Sequence, residues 1–144
     1  MAFESFVARY PFLFLLGVWI LISFLASRLS GWHRLAKEYP VHNPFEGKPR
    51  RFQTLWMRYG SHYGNITTVG ANAQGLYLSV LFLFRIGHDP LFIPWSEITA
   101  AETTGGLFKR IRLQFKRLPA VPVIIDRRLA EILVKESYGV LSIR

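Results

Sequence analysis

The spacing of apolar and polar positions divides the chain into three regimes. The first is an unbroken apolar run from Tyr10 to Ser27, with Arg9 before it, Arg28 after it and no charge inside. At about 1.5 Å per residue, a helix over this run covers roughly 27 Å, close to the hydrocarbon thickness of a bilayer. A single helix satisfies its own backbone in lipid, and a single strand does not. The pattern predicts a transmembrane helix over residues 10–29, behind a short N-terminal tail at residues 1–9. A cleavable signal peptide is the rival reading. Against it, Arg9 directly abuts the apolar run and Leu25-Ala26-Ser27 is a poor small-x-small site.

The second regime, residues 30–51, begins with helical spacing. Trp32, Leu35, Ala36 and Tyr39 fall at i, i+3, i+4 and i+7, while His33, Arg34, Lys37 and Glu38 take the opposite face. Pro40 ends the pattern. Two placements fit this short helix: lying on the membrane with its aromatics inward, or docked on the following domain. Tyr10 and Trp32 are positioned for the two membrane interfaces, and Trp19 lies mid-span. Pro40, Asn43, Pro44, Gly47 and Pro49 then mark a linker, so the folded domain is expected to start at Arg51 or Phe52.

From residue 52 the period becomes that of strands. Strands are expected at Phe52–Tyr59, Ile66–Ala71, Leu76–Phe84, Leu91–Trp95, Glu97–Thr104, Arg110–Lys116 and Val121–Ile125. Turns are expected at Gly60–Asn65, Asn72–Gly75 and Gly87–Pro90, with Gly105-Gly106 at a hairpin tip. Arg110–Lys116 alternates strictly, placing Ile111, Leu113 and Phe115 on one face and Arg110, Arg112, Gln114 and Lys116 on the other. The strand Leu76–Phe84 is apolar on both faces, so Leu81 and Leu83 need cover from a helix, lipid or another subunit. Asp126 reads as the N-cap of one last helix with a Leu129, Ile132, Leu133 stripe, Lys135 in its final turn and Gly139 after its end. About seven antiparallel strands followed by one amphipathic helix form a barrel or sandwich whose open end the helix caps.

Charge and composition add direction. Seventeen of the 18 basic residues and eight of the nine acidic ones follow the apolar run, so the whole excess of +9 lies there. Arg28, Arg34 and Lys37 flank the run on its C-terminal side, against Arg9 and the amino terminus on the other. This asymmetry predicts a single-pass protein of the inner membrane with its C-terminal domain in the cytoplasm. A periplasmic domain behind an inverted anchor is the rival orientation. Two further basic groups, Lys48, Arg50 and Arg51, and Lys109, Arg110, Arg112, Lys116 and Arg117, extend the surface expected to meet an anion. Anionic lipid is the first expectation, an acidic protein partner the second and nucleic acid the last. Trp32, Leu81 and Leu83 are the apolar contact candidates.

The chemistry of catalysis is sparse. There is no cysteine, which removes thiol nucleophiles, thiolate metal sites and disulfides. His33, His42, His62 and His88 show no metal-ligand spacing, and the carboxylates are scattered. No cofactor motif is present. The expectation is a non-enzymatic module, with a small enzyme or regulator of lipid or envelope metabolism as the alternative.

One local pattern carries a resemblance. Gly75-Leu76-Tyr77-Leu78, then Phe84-Arg85, then Leu91-Phe92-Ile93-Pro94-Trp95-Ser96-Glu97-Ile98 resembles a motif of bacterial pleckstrin-homology-like (PH-like) and GRAM-like domains. The likeness covers roughly residues 52–138, within an expected domain at 52–144. It implies a PH-like barrel and a binding or adaptor role, such as an accessory subunit of a membrane complex. The basic phosphoinositide cluster of eukaryotic PH domains is not matched, since residues 60–65 offer only His62. Pro94-Trp95 suits a strand edge and a buried aromatic.

Overall fold

A computed structural model describes residues 2–103 and 109–144, so the Gly105-Gly106 hairpin tip lies outside the described residues. The apolar run forms one helix, α2 (Pro11–Ser30), long and apolar enough to cross a membrane. Proline at its first position leaves no donor unsatisfied there. The short N-terminal tail before it is itself helical, α1 (Ala2–Arg9), set at an angle by non-helical Tyr10. The bend brings the Phe3 ring edge-on to Phe14, centroids 5.8 Å apart.

α2 stops at Gly31, whose φ of +91° suits glycine, and α3 (Trp32–Glu38) starts on the next residue. A Cβ on Gly31 would stand 2.6 Å from Val121 Cγ1, so both conformation and space demand glycine. Trp32, Leu35, Ala36 and Tyr39 are all buried among the barrel's own core residues. Of the two placements open to this helix, the structure takes docking on the domain. Burying a Leu- or Phe-sized side chain contributes about 1.5–3 kcal/mol, so this stripe supplies much of the attachment.

The barrel comprises β1 (Arg50–Trp56), β2 (His62–Ala71), β3 (Gly75–Val80), β4 (Leu91–Pro94), β5 (Ile98–Glu102), β6 (Arg110–Phe115) and β7 (Leu118–Asp126). They form one antiparallel, nearly closed sheet in the order β4-β3-β2-β1-β7-β6-β5. Its outermost strands are covered by the chain itself. Tyr39 accepts from the Phe92 amide and Pro40 bridges Leu91 beside β4, while Ile143 bridges Ala100 beside β5. The expected linker is thus partly pinned. Phe45 stacks on Tyr77 with centroids 5.0 Å apart and fills the space where Gly70 lacks a side chain.

α4 (Arg127–Glu136) follows β7 directly, with the Asp126 carboxylate accepting from the Leu129 amide at 2.7 Å. It buries Leu129, Ala130 and Leu133; Ile132 is only half-buried. The helix ends at Glu136, before Gly139, because Tyr138 and Gly139 both turn to positive φ.

Two strand expectations are corrected. β2 begins at His62 rather than after Asn65, because His62 and Tyr63 pair with Trp56 and Leu55 of β1; Asn65, at positive φ, is an irregularity inside the strand that exchanges hydrogen bonds with the Thr54 side chain across the hairpin. β3 ends at Val80. Leu81–Phe84, expected to continue it, instead turns as a short 3-10 segment closed by Phe84 N–H donating to the Leu81 carbonyl.

Candidate functional site

The junction of α2 and the barrel concentrates the polar contacts. The side of α2 turned toward the barrel carries Ser23, Ser27 and Ser30, all buried, while Leu21, Ile22, Leu25 and Leu29 are exposed. Facing those serines is the loop between β3 and β4. Trp19 Nε1 donates to the Leu83 carbonyl at 2.8 Å, and its ring packs on Phe84 at 4.7 Å. Two turns along α2, the Ser27 hydroxyl donates to the Gly87 carbonyl. Gly87 lies close enough to Phe24 and Ser27 that a side chain there would crowd the helix.

Beneath the loop lies a buried chain of polar groups. His88 Nδ1 is 3.3 Å from the Ile86 carbonyl, and its Nε2 is 2.9 Å from the Tyr63 hydroxyl. A carbonyl only accepts, so this arrangement assigns the ring proton to Nδ1 and leaves Nε2 to accept from Tyr63. Tyr63 in turn meets the Ser30 hydroxyl at 2.8 Å, and the Trp32 amide donates to Ser30 at 3.3 Å. Trp32 Nε1 donates to the Asp89 carbonyl at 2.9 Å. Burial lowers the pKa of His88, and burial raises that of Tyr63 with partial relief from Ser30, so both stay neutral near pH 7. Serine, tyrosine and histidine in sequence suggest proton relay, but all three are buried. The arrangement can hold α2, α3 and the loop in one geometry.

Trp32 was expected at a membrane interface and as an apolar contact residue. It is instead fully buried in this cluster, where its ring meets Tyr63 and His88, so it cannot serve an external partner. Leu81 and Leu83 lie on the loop rather than on a strand face: Leu81 is half-buried and Leu83 is 51% exposed beside Phe82 at 71%.

The basic candidates are dispersed. Arg28, Arg34 and Lys37 are exposed around the end of α2 and along α3, with the Arg28 guanidinium 4.8 Å from the Phe24 ring. Arg50 and Arg51 lie at the opposite end of β1 from Trp56, with Lys48 just before the strand, and Arg50 pairs with Glu136 at 3.0 Å. On β6, Arg110 covers the Trp56 ring at 4.1 Å and Arg112 is exposed; Lys109 and Lys116 are exposed just beyond its two ends. Arg117 pairs with Glu97 at 2.9 Å. These groups do not converge on one site.

Arg58, unmarked by any pattern in the sequence, also serves the junction. Its Nε donates to the Leu29 carbonyl and its Nη2 to the Arg28 carbonyl, both at 3.1 Å, capping the C-terminal, negative end of α2. No local signal announces this, because the two partners are about thirty residues apart in sequence.

Away from the junction, an open cleft of about 690 Å³ lies between Tyr39–Glu46 and the turn at Asn72–Gln74. Its ion pair, Glu97 with Arg117, is already mutually satisfied. Among the described residues, no cluster of three or more His, Asp or Glu side chains suits a metal ion. Compared with protein-family models and with curated proteins, the chain matches none.

Proposed function

We propose that this chain is a non-enzymatic, single-pass membrane protein whose PH-like barrel acts as a binding or adaptor module at the cytoplasmic face of the inner membrane. One observation carries the reading. α2 is inside out for water, exposing leucine and isoleucine and burying serine, and it runs through a single residue into the core of the barrel. Such a helix suits an apolar medium, and such a connection holds a domain at a fixed height above it. Seven antiparallel strands closed by one helix support the PH-like assignment.

The orientation rests on Arg28, Arg34 and Lys37 flanking α2. Because the other basic groups are spread over the barrel and partly engaged by its own acids, lipid attraction is confined to the flank of α2. The outer face of β6, with Arg112 and Lys116, is left for an acidic protein partner.

A reporter active only in the cytoplasm, fused after Arg144, tests the placement: signal is expected, and silence in a membrane-integrated product overturns it. Capture of a partner from mild detergent by the full chain, lost on reversing charge at Arg112 and Lys116, tests the adaptor role. Retention of every captured protein by that variant removes β6 from it.

A further inference from the structure

We propose that the β3–β4 loop, Leu81–Ile86, is a second membrane-inserted element that dips into the same leaflet as the C-terminal half of α2, with acyl chains as its ligand. The proposal rests on the reading of α2 as a membrane span and adds a lipid contact from the barrel itself.

The first ground is depth. Trp19 donates to the Leu83 carbonyl, and Trp19 lies nine residues before Arg28, roughly 13 Å along a helix. Between the two, α2 exposes Ile22 and Leu25, and Leu29 remains 60% exposed beyond Arg28. An apolar medium that covers those side chains reaches past the level of the loop. A loop tied to Trp19 therefore lies in it.

The second ground is the loop's surface. Phe82, Leu83 and Ile86 are 71%, 51% and 43% exposed on a single short turn. In water such a patch is unfavourable; in hydrocarbon each side chain is stabilised.

The third ground is the backbone. Non-helical chain survives at membrane depth where its polar groups find protein partners. Here the carbonyls of Leu81, Phe82, Leu83, Arg85, Ile86 and Gly87 meet the Phe84 and Arg85 amides, Trp19, the His88 amide, the His88 ring and Ser27, respectively. Arg85, the one charge in the loop, is exposed, and its Nε reaches back to the Val80 carbonyl at 3.4 Å, toward the barrel rather than the loop tip.

The native chain has no cysteine, so single-cysteine variants report one position each. Full-length Phe82→Cys, Leu16→Cys inside α2 and Tyr138→Cys after α4 are labelled with an environment-sensitive fluorophore and reconstituted in phosphatidylcholine–phosphatidylglycerol vesicles. Quenching is then compared between lipids spin-labelled on the acyl chain and aqueous iodide. The proposal predicts several-fold stronger lipid quenching at Phe82 and Leu16 than at Tyr138, with iodide quenching only Tyr138. Iodide access at Phe82 with lipid quenching at Leu16 overturns the loop proposal and leaves the span standing. Iodide access at both positions overturns both. Ile86→Cys repeats the measurement at a second exposed loop position, so disturbance by one label cannot decide the result.

Discussion

α2 and α3 are neighbours in sequence with opposite rules of burial. In α2 the buried side chains are serines and the exposed ones are leucine, isoleucine and phenylalanine; in α3 the buried ones are tryptophan, leucine and alanine, and arginine and lysine face out. The reversal occurs across Gly31 alone. Hydrophobicity therefore drives the docking of α3, whereas α2 is held to the barrel by directed hydrogen bonds from Trp19 and Ser27. Two mechanisms of attachment, side by side, predict two different sensitivities.

The largest effect is expected in α3. Trp32→Ala removes a fully buried indole and its bond to the Asp89 carbonyl, and should lower the unfolding free energy by about 3–5 kcal/mol. Denaturant titration of the full chain in mild detergent measures it; a loss below about 1 kcal/mol would mean α3 is not core. Next comes the boundary itself. Gly31→Ala meets Val121 and an unfavourable φ, for about 1–3 kcal/mol. Adding Val121→Ala should restore only the steric part, which separates crowding from backbone strain.

The polar chain below the loop predicts a pH response. Burial depresses the His88 pKa below its ordinary 6.5, so on acidification the unfolded chain binds the proton first. Its contribution is complete above about 6.5 and is lost as pH falls from there through the folded value. Asp89, next in sequence, opposes the shift, and Tyr63 faces His88 in the neutral state. Thermal midpoints of His88→Gln should show a weaker acid-side decline than those of the parent; identical slopes would assign the decline to other groups.

The smallest effects belong to α2. Trp19→Phe keeps the ring contact and deletes one hydrogen bond, which within membranes averages about 0.6 kcal/mol. Ser23 Oγ is buried without a partner among the described residues, so Ser23→Ala should be neutral or stabilising by up to about 1 kcal/mol. A clear loss on Ser23→Ala, measured by the same titration, would mean its hydroxyl has a partner in the bilayer.

Much of the fold was legible where local chemistry decides it. The Asn72 side chain accepts from the Gln74 and Gly75 amides, so that turn is written into the residues that make it. β6 alternates because one face is packed and the other is not, and Asp126 caps α4 as its residue type suggests. The break after Val80 was not legible. Val80 to Phe84 is uniformly apolar, and the turn that replaces the strand there is closed by the Phe84 amide on the Leu81 carbonyl and tied to Trp19, over sixty residues away. Helical spacing identified the stripe of α3 correctly but was silent on whether lipid or protein would cover it. For the site, residue type predicted basic surface and said nothing of its dispersal: Arg50 and Arg112 are close in chemistry and lie on different parts of the barrel.

The single-residue connection at Gly31 has a mechanical corollary. A domain tethered by a long flexible linker samples many headings above a membrane, and a partner must wait for the right one. With α2 in the membrane as proposed, tilt of the helix and heading of the barrel become one variable, fixed further by Arg58 gripping the last turn of α2. In that placement, whatever approaches by diffusion along the membrane would meet the same face each time. A change in bilayer thickness that tilts the helix would turn the barrel with it, like a rudder on its post.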